Sequence, residues 1–123
     1  MSKKRGIAAE RELLHLFWEN GFAVARVAGS GSIPEPSCDL LVGNGKKKYA
    51  IECKTTRKTK KYIGKKQIKE FLKFSERFGL EPIIAIKFIR KGWFFLAPKN
   101  LDKTGKGYVI SLKDAVKRGV KLI

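Results

Sequence analysis

The chain has 123 residues, of which 28 are lysine or arginine and 11 are aspartate or glutamate, so its formal net charge is +17. This length allows one domain with one hydrophobic core and is too short for two, and no apolar run approaches the roughly 20 residues that a membrane span requires. A charge this large favours a polyanionic partner, with nucleic acid as the leading candidate. An anionic membrane surface is the alternative, but no predicted helix has a clean basic face opposite an apolar one.

The first half of the chain predicts a helix followed by strands. Apolar residues recur at helical spacing over residues 6–20, and Gly21 follows as a C-terminal stop. The alternation in FAVARVAG, residues 22–29, predicts a strand that ends at a Gly- and Ser-rich loop, residues 29–37. CDLLVGNGKKKYAIECKT, residues 38–55, predicts two strands joined by a turn at residues 43–45.

The second half predicts a crossover helix, further strands and a last helix. Residues 54–66 hold seven basic residues and no acid, which is typical of a solvated loop or a strand extension. A helix is predicted over residues 65–78 and ends at Gly79, and strands follow in PIIAIKFIR and KGWFFLAP. In GYVISLKDAVKRG we predict a strand and then a helix with Ser111 as its N-cap and Asp114 three residues on. The order indicates an α/β fold with a mixed central β-sheet flanked by helices.

Three charged residues interrupt the apolar pattern of the two central strands. Alternation along YAIECKT sets Glu52 and Lys54 on one face of their strand. A turn at residues 43–45 favours a register in which paired residue numbers sum to about 91, and this register places Asp39 opposite Glu52. The same register pairs Cys38 with Cys53 on the other face of the sheet.

The carboxylates of Asp39 and Glu52 predict a metal site. Two close carboxylates repel each other unless a cation lies between them, and Mg²⁺ takes a sparse oxygen shell completed by water and phosphate. Lys54 could hold the attacking water or stabilise charge on the phosphate, as metal-assisted phosphodiester hydrolysis requires. The alternative is a surface hairpin with ordinary solvated charges, but the matched acid and the basic run after Lys54 favour the metal site.

Glu10 is a further candidate because it is the only charge in an apolar helical stripe formed with Ile7, Leu14 and Phe17. Either it makes a structural salt bridge with a basic side chain at the helix edge, or it reaches the metal. The acids at Asp39 and Glu52 favour the second interpretation.

At these positions the sequence resembles the archaeal Holliday junction resolvases, which are restriction-endonuclease-like nucleases of the PD-(D/E)xK type. AERE at residues 9–12, Arg26 before AGS, Asp39, and IECK at residues 51–54 follow the order of the family, and FSERFG and GWFF are also similar. The acidic motif reads Cys38-Asp39, without the Pro of the wider signature. The resemblance implies metal-associated acids at Glu10, Asp39 and Glu52, a catalytic lysine at Lys54, and Arg26 and Ser30 near the scissile phosphate, with Ser32 as the alternative to Ser30.

The resemblance also implies a single nuclease domain over residues 1–123 that acts as a homodimer on four-way DNA junctions. We expect a cytoplasmic, nucleoid-associated enzyme that uses Mg²⁺, for which Mn²⁺ could substitute, and that does not bind membranes. Gln67 opens the second helix where many such nucleases carry a glutamine, although a solvent-facing polar residue is an equal alternative. The candidate contacts to DNA arms are basic: Lys3, Lys4, Arg5, Arg57, Lys58, Lys60 and Lys61.

Two other functions remain open at the level of sequence. The chain could be a basic nucleic-acid-binding protein whose carboxylates are structural, or a nuclease of ordinary or damaged duplex DNA.

An apolar arc on the second helix, with Phe71, Phe74 and Phe78 turned away from Ile68 and Leu72, predicts either a deeply buried helix or a two-fold dimer interface.

The two cysteines and the one histidine are too few for structural zinc. We predict buried thiols at Cys38 and Cys53, with a cross-strand disulfide as the alternative.

Overall fold

The structure, a computed structural model, describes residues 3–29 and 32–123, with side chains from residue 6 onward in the first of these ranges. The elements are, in chain order, α1 (Lys3–Glu19), β1 (Ala23–Arg26), β2 (Leu40–Gly43), β3 (Lys48–Thr56), β4 (Lys60–Gly64), α2 (Lys65–Phe78), β5 (Glu81–Phe88), β6 (Gly92–Leu96), a short 3-10 helix (Pro98–Asn100), β7 (Asp102–Lys103), β8 (Gly107–Ser111) and α3 (Leu112–Arg118). Among these residues, no helix is long and apolar enough to cross a bilayer.

The predicted mixed sheet is confirmed. Five strands pair in the order β1-β2-β3-β5-β6, and every pairing is antiparallel except that between β3 and β5, which is parallel. A parallel connection needs a long crossover, and the chain between β3 and β5 contains α2. In this strand order β3 is the central strand of the sheet, and both of its faces can be covered.

A second sheet, with the order β4-β8-β7, was not predicted as a separate unit. β3 does extend to Thr56, as a strand extension would, and β4 then follows after a tight turn. Lys60 and Tyr62 on β4 are exposed, whereas Ile63 is buried. The alternation of β4 was hidden in the sequence because only one apolar residue marks its inner face.

The hydrophobic core lies on both faces of the central sheet. The α1-side cluster contains Leu13 and Phe17 of α1 and the β3 residues Tyr49 and Ile51. The α2-side cluster contains Ile68 and Phe71 of α2, Ala115 of α3, Ala50 of β3, and Ile63 and Ile110 of the second sheet. Burial of one large apolar side chain such as Phe17 or Phe71 contributes about 1.5–3 kcal/mol of transfer free energy. The two clusters therefore hold α1 on one face of β3 and α2 on the other.

The predicted register of β2 and β3 is confirmed where the two strands pair. Leu40 pairs with Ile51 and Val42 with Tyr49, so the paired numbers sum to 91. The ladder ends there, because Asp39 lies before β2 and donates its N–H to the carbonyl oxygen of Ile51, one residue out of register. Asp39 is therefore not directly paired with Glu52.

The predicted placement of the two cysteines on one face is wrong. Cys38 is buried in the α2-side cluster, whereas Cys53 is partly buried and packs against the α1-side cluster. A shift of one residue moves side chains to the opposite face of a sheet, and the slip at Asp39 moves Cys38 in this way. Both cysteines are free thiols, and only Cys38 is as deeply buried as we predicted.

The apolar arc of α2 is covered only in part. Ile68 and Phe71 are buried, but Leu72 and Phe78 are 38% and 58% exposed. The rings of Phe74 and Phe78 contact each other with their centroids 5.5 Å apart. Burial of α2 within the monomer therefore accounts for one side of the arc and leaves Phe78 uncovered.

Candidate active site

A cleft of about 450 Å³ opens between the N-terminal half of α1, the middle of β3 and the start of α2. Five residues that the sequence analysis selected line this one cleft: Glu10, Asp39, Glu52, Lys54 and Gln67. They come from helices on opposite faces of the sheet and from the β2 and β3 region between them. The fold thus gathers polar residues that are up to 57 positions apart in a cleft bordered by the buried core.

The carboxylate of Asp39 is held against β3. Its Oδ2 atom accepts a hydrogen bond from the backbone N–H of Cys53 over 2.8 Å. Because Asp39 lies just outside the ladder, its side chain satisfies a donor of β3 beside Glu52. This hydrogen bond holds the carboxylate of Asp39 beside residue 53 of β3, next to Glu52, although Asp39 and Glu52 are not paired in the backbone ladder.

Glu52 is a nearly buried carboxylate, at 9% exposure. Its Oε2 atom lies 3.4 Å from Nζ of Lys54 and accepts a hydrogen bond from Nε2 of Gln67 over 3.2 Å. Burial and the charge of Asp39 nevertheless raise the pKa of Glu52 to about 7, against the opposing effect of Lys54. Lys54 therefore does not fully offset the cost of burying the charge of Glu52 beside Asp39.

Glu10 makes the salt bridge that one of the two interpretations required, and it also faces the cleft. Arg26 donates from Nε to Oε1 of Glu10 over 3.0 Å. Burial and the nearby charge of Asp39 raise the pKa of Glu10, while Arg26 acts in the opposite direction. Arg26 is thereby placed at the edge of the cleft through Glu10.

The donor set suits a hard cation held by few protein ligands. Within the described residues, no three side chains of the His, Cys, Asp or Glu types are close enough together to hold a metal ion between them. Mg²⁺ is commonly bound by one or two carboxylates, with water and substrate phosphate completing its shell. Asp39 and Glu52 fit this requirement, because both are oxygen donors in one polar cleft whose mutual repulsion a cation would relieve.

Several predicted residues lie elsewhere or outside the described part of the chain. Ser30 is outside it, as are the side chains of Lys3, Lys4 and Arg5, whose backbone forms the first turn of α1. Ser32 is exposed and its hydroxyl donates to the carbonyl of Gly29 over 2.8 Å. The remaining basic candidates line a different pocket, which contains Arg57, Lys58, Lys60 and Lys61.

Two further acids line the cleft that the sequence analysis did not select, Glu35 and Glu70. Glu70 could have been found, because it lies three residues after Gln67 and such residues share a helix face. Glu35 belongs to the irregular loop before β2, where no periodicity indicates the direction of a side chain.

A mixed five-stranded sheet with two carboxylates, a lysine and a glutamine in one cleft is the arrangement that the resemblance to the restriction-endonuclease-like nucleases predicted. The model of the family described as archaeal Holliday junction resolvase (Hjc) matches residues 1–123. The chain therefore belongs to the archaeal Holliday junction resolvase family.

Individual relatives agree with this assignment. The crossover junction endodeoxyribonuclease Hjc of Methanocaldococcus jannaschii is 43% identical over 107 residues, which are 87% of this chain and 76% of that protein. The Hjc of Archaeoglobus fulgidus is 38% identical over 108 residues, which are 88% of this chain and 79% of that protein. The 1.6 Å structure of Archaeoglobus fulgidus Hjc, a Holliday junction resolvase, superposes with a TM-score of 0.86 at 35% identity, over 92% of this chain and 91% of that one.

Proposed function

We propose that this protein is a homodimeric, Mg²⁺-dependent endonuclease that resolves four-way DNA junctions by paired phosphodiester hydrolysis. The observation that carries the proposal is the convergence of Asp39, Glu52 and Lys54 on one cleft in a chain of this family. The relatives named above are crossover junction endodeoxyribonucleases. The net charge of +17 supplies the attraction to a polyanion that such a substrate needs.

Asp39 and Glu52 would hold the ion, with Glu10 close by. An Mg²⁺ ion bound there would neutralise charge on the phosphate and lower the pKa of water for hydrolysis, and Mn²⁺ could take the same oxygen ligands. The N–H of Cys53 orients Asp39 and the amide of Gln67 orients Glu52, so both carboxylates are positioned before substrate arrives.

Lys54 has the position needed to act on the scissile phosphate. Its ammonium lies on the cleft side of β3 at 3.4 Å from Glu52, and its side chain is only 18% exposed. A partly desolvated ammonium stabilises developing phosphate charge more strongly than one in bulk water. Arg26, held by Glu10, would add a second cation at the same edge, and Ser30 or Ser32 would contact the phosphate from the adjoining loop.

Two copies of the chain would place two such clefts on one junction. The exposed Phe78 and the partly covered Phe74 on α2 adjoin an apolar surface formed with β1 and β2, which includes Val24, Leu41 and Leu80. A cyclic two-fold interface uses the same patch on both subunits, and this patch contains the aromatic side chains that anchor such interfaces. Two-fold related sites could then cut two strands of a four-way junction.

The direct test compares an immobile four-way junction with a linear duplex of the same arm sequence, with Mg²⁺ or with chelator. The proposal requires symmetric nicks in the junction that disappear with chelator and in Asp39→Asn. This variant removes the charge of Asp39 but keeps a side-chain oxygen to accept from Cys53. Asp114→Asn is the matched control, because it removes the same charge on α3, away from the cleft.

The same assay separates the other functions. Tight junction binding without a metal-dependent cut under any condition would favour a basic binding protein, and equal cleavage of junction and duplex would favour a duplex nuclease. We place the enzyme in the cytoplasm on chromosomal DNA, where its substrate forms.

A further inference from the structure

A second, basic pocket of about 390 Å³ lies beside the turn between β3 and β4, near the end of β5. Its lining contains four cationic side chains and no acid: Arg57, Lys58, Lys60 and Lys61. Within the described part of the chain, no carboxylate lies within ion-pair distance of any of the four. The pocket therefore has a concentrated positive charge that the described residues do not neutralise.

The pocket also contains an aromatic ring that is open to solvent. Tyr62 is 64% exposed, and Ile63 beside it on β4 is buried. β4 pairs with β8 along its whole length, with Tyr62 opposite Val109, so the ring is carried on a hydrogen-bonded strand and not on a loose loop. Cations that contact the backbone and an aromatic ring that stacks on a base are the combination by which proteins bind unpaired nucleotides.

The basic pocket adjoins the proposed active site. Thr55 and Thr56, which form part of its wall, directly follow Lys54 along β3. Burial and the positive charge of Lys54 lower the pKa of Lys61, so these two ammonium groups are near enough to repel each other. Two residues of strand span about 7 Å, and a DNA strand with one phosphate at Lys54 would reach this pocket within its next nucleotides.

We propose that the basic pocket binds one unstacked nucleotide of the DNA strand at the branch point, with its phosphate among the four cations and its base stacked on Tyr62. The inference rests on the proposed junction activity. Removing a base from a continuous duplex costs a few kcal/mol of pairing and stacking, and the cost falls where these are already disrupted, as next to a branch. A site for an unstacked nucleotide would thus favour junctions over duplexes without reading sequence.

The test measures equilibrium binding with chelator present, so that it does not depend on cleavage. Tyr62→Leu should weaken binding to a four-way junction about tenfold without changing the affinity for a linear duplex, because only the junction offers a base for stacking. Tyr62→Phe keeps the ring and should bind both as wild type does. Trp18→Leu is the matched control, since Trp18 is an aromatic residue with 66% exposure that lies outside the basic pocket.

A contact measurement covers the case in which Tyr62→Leu fails to fold. Wild-type protein is irradiated on junctions carrying 5-iododeoxyuridine at the branch point or within an arm, and the crosslinked residue is identified by mass spectrometry. A branch-point crosslink at Tyr62 that is absent from the arm position supports the inference. Unchanged junction affinity in folded Tyr62→Leu, an equal loss on duplex, or crosslinks only at other residues would overturn it. Because none of these readouts requires a cut strand, they remain informative even if the protein proves not to cleave DNA.

Discussion

The side-chain amide of Gln67 donates a hydrogen bond to Oε2 of Glu52, with 3.2 Å between the two atoms. α2 begins two residues before Gln67, so this bond ties the first turn of the helix to the middle of β3. The same oxygen is near the ammonium of Lys54. These donors favour the ionised form of Glu52, but burial and Asp39 outweigh them and raise its pKa to about 7.

Glu52→Gln should make the metal-free protein more stable than wild type at alkaline pH. The pKa of Glu52 is about 7 in the folded protein, well above the ordinary value of a glutamate, so the folded state binds the proton more tightly than the unfolded state. The stability that this proton gives is complete below the unfolded pKa and is lost as the pH rises through the folded pKa. Glutamine has no charge to bury, and its advantage above that range is on the order of 3 kcal/mol.

Urea denaturation in chelator, at about pH 5 and about pH 8, measures this difference. The variant should exceed the wild type in free energy of unfolding by more at the higher pH. The pKa of about 7 already includes the effect of Lys54, so the loss of this pairing in the variant does not alter the direction of the difference. A difference that is the same at both pH values would show that Glu52 does not titrate as described.

Glu10→Gln should impair cleavage whereas Glu12→Gln should not, although the two residues lie only two positions apart on α1. Glu12 does not line the cleft, because its carboxylate accepts hydrogen bonds from Nζ of Lys87 at 2.7 Å and from Nε1 of Trp93 at 2.8 Å. We expect Glu10→Gln to lower cleavage at limiting Mg²⁺ by about 10–100-fold, as loss of a carboxylate near a metal ligand does. Glu12→Gln should leave cleavage unchanged.

Mg²⁺ titrations of the junction cleavage rate compare these two variants. Glu12→Gln should cost less than about 1 kcal/mol of stability, since the side chain of Glu12 is 44% exposed. If Glu12→Gln impaired cleavage as much as Glu10→Gln, the assignment of Glu10 to the site would be lost.

Phe78→Lys should convert the proposed dimer to a folded monomer. The side chain is 58% exposed in the isolated chain, so the substitution adds no charge to the core. At a central interface position, loss of an aromatic anchor and repulsion between two new charges should raise the dissociation constant about 30-fold or more. Sedimentation equilibrium measures it.

Val116→Lys is the matched control, because Val116 on α3 is 64% exposed and lies outside the α2 patch. It should leave the association state of the wild type unchanged. A wild-type chain that remains monomeric at high concentration, or a Phe78→Lys variant that still dimerises, would contradict the assigned interface.

Gly107→Ala should destabilise the second sheet, whereas Gly105→Ala should not. A Cβ atom at Gly107 would collide with the carbonyl oxygen of Ile63 and lie 2.8 Å from the backbone N of Lys65, where β4 passes into α2. Backbone atoms cannot move aside as a flexible side chain can, and the expected cost is about 1–3 kcal/mol. A Cβ at Gly105 meets nothing within 4 Å.

Chemical denaturation of these two glycine variants gives the comparison. Both variants lose the same backbone entropy in the unfolded state, so their difference reports the collision together with the φ of 158° at Gly107. Equal free energies of unfolding for the two variants would mean that β4 and β8 can move apart at Gly107 without loss of stability, which would contradict the prediction.

The elements with a strong local signal were predicted well. α2 was placed at its observed residues because its apolar periodicity is clear and Gly79, at φ 83°, ends it in the left-handed conformation. The cap of α3 was equally readable, since Ser111 accepts from the backbone N–H of Asp114 over 3.1 Å as the capping pattern requires. α1 begins three residues earlier than predicted, because its first turn has no apolar residue to mark it.

The errors arose where tertiary contacts decide the structure. The slip in the ladder at Asp39, which separates Cys38 from Cys53, comes from backbone hydrogen bonds that leave no trace in composition. β4 was hidden by its lysines, and the proximity of Lys61 to Lys54 follows only from the second sheet. Asp39, Glu52 and Lys54 could be selected from sequence because Glu52 and Lys54 share one face of β3 and Asp39 directly precedes β2. That Arg26 on β1 would pair with Glu10 could not be predicted, because only the folded chain brings them together.

The measurement that tests the central claim most directly is the reaction of the wild-type protein with a supercoiled plasmid that extrudes a cruciform. The cruciform is a four-way junction, and the plasmid topology records whether its two strands are cut within one binding event. A dimer with two active clefts should convert the plasmid directly to the linear form with Mg²⁺, and should leave it intact with chelator or with Asp39→Asn. Accumulation of nicked circles without linear product, or cutting that does not depend on Asp39, would contradict the account.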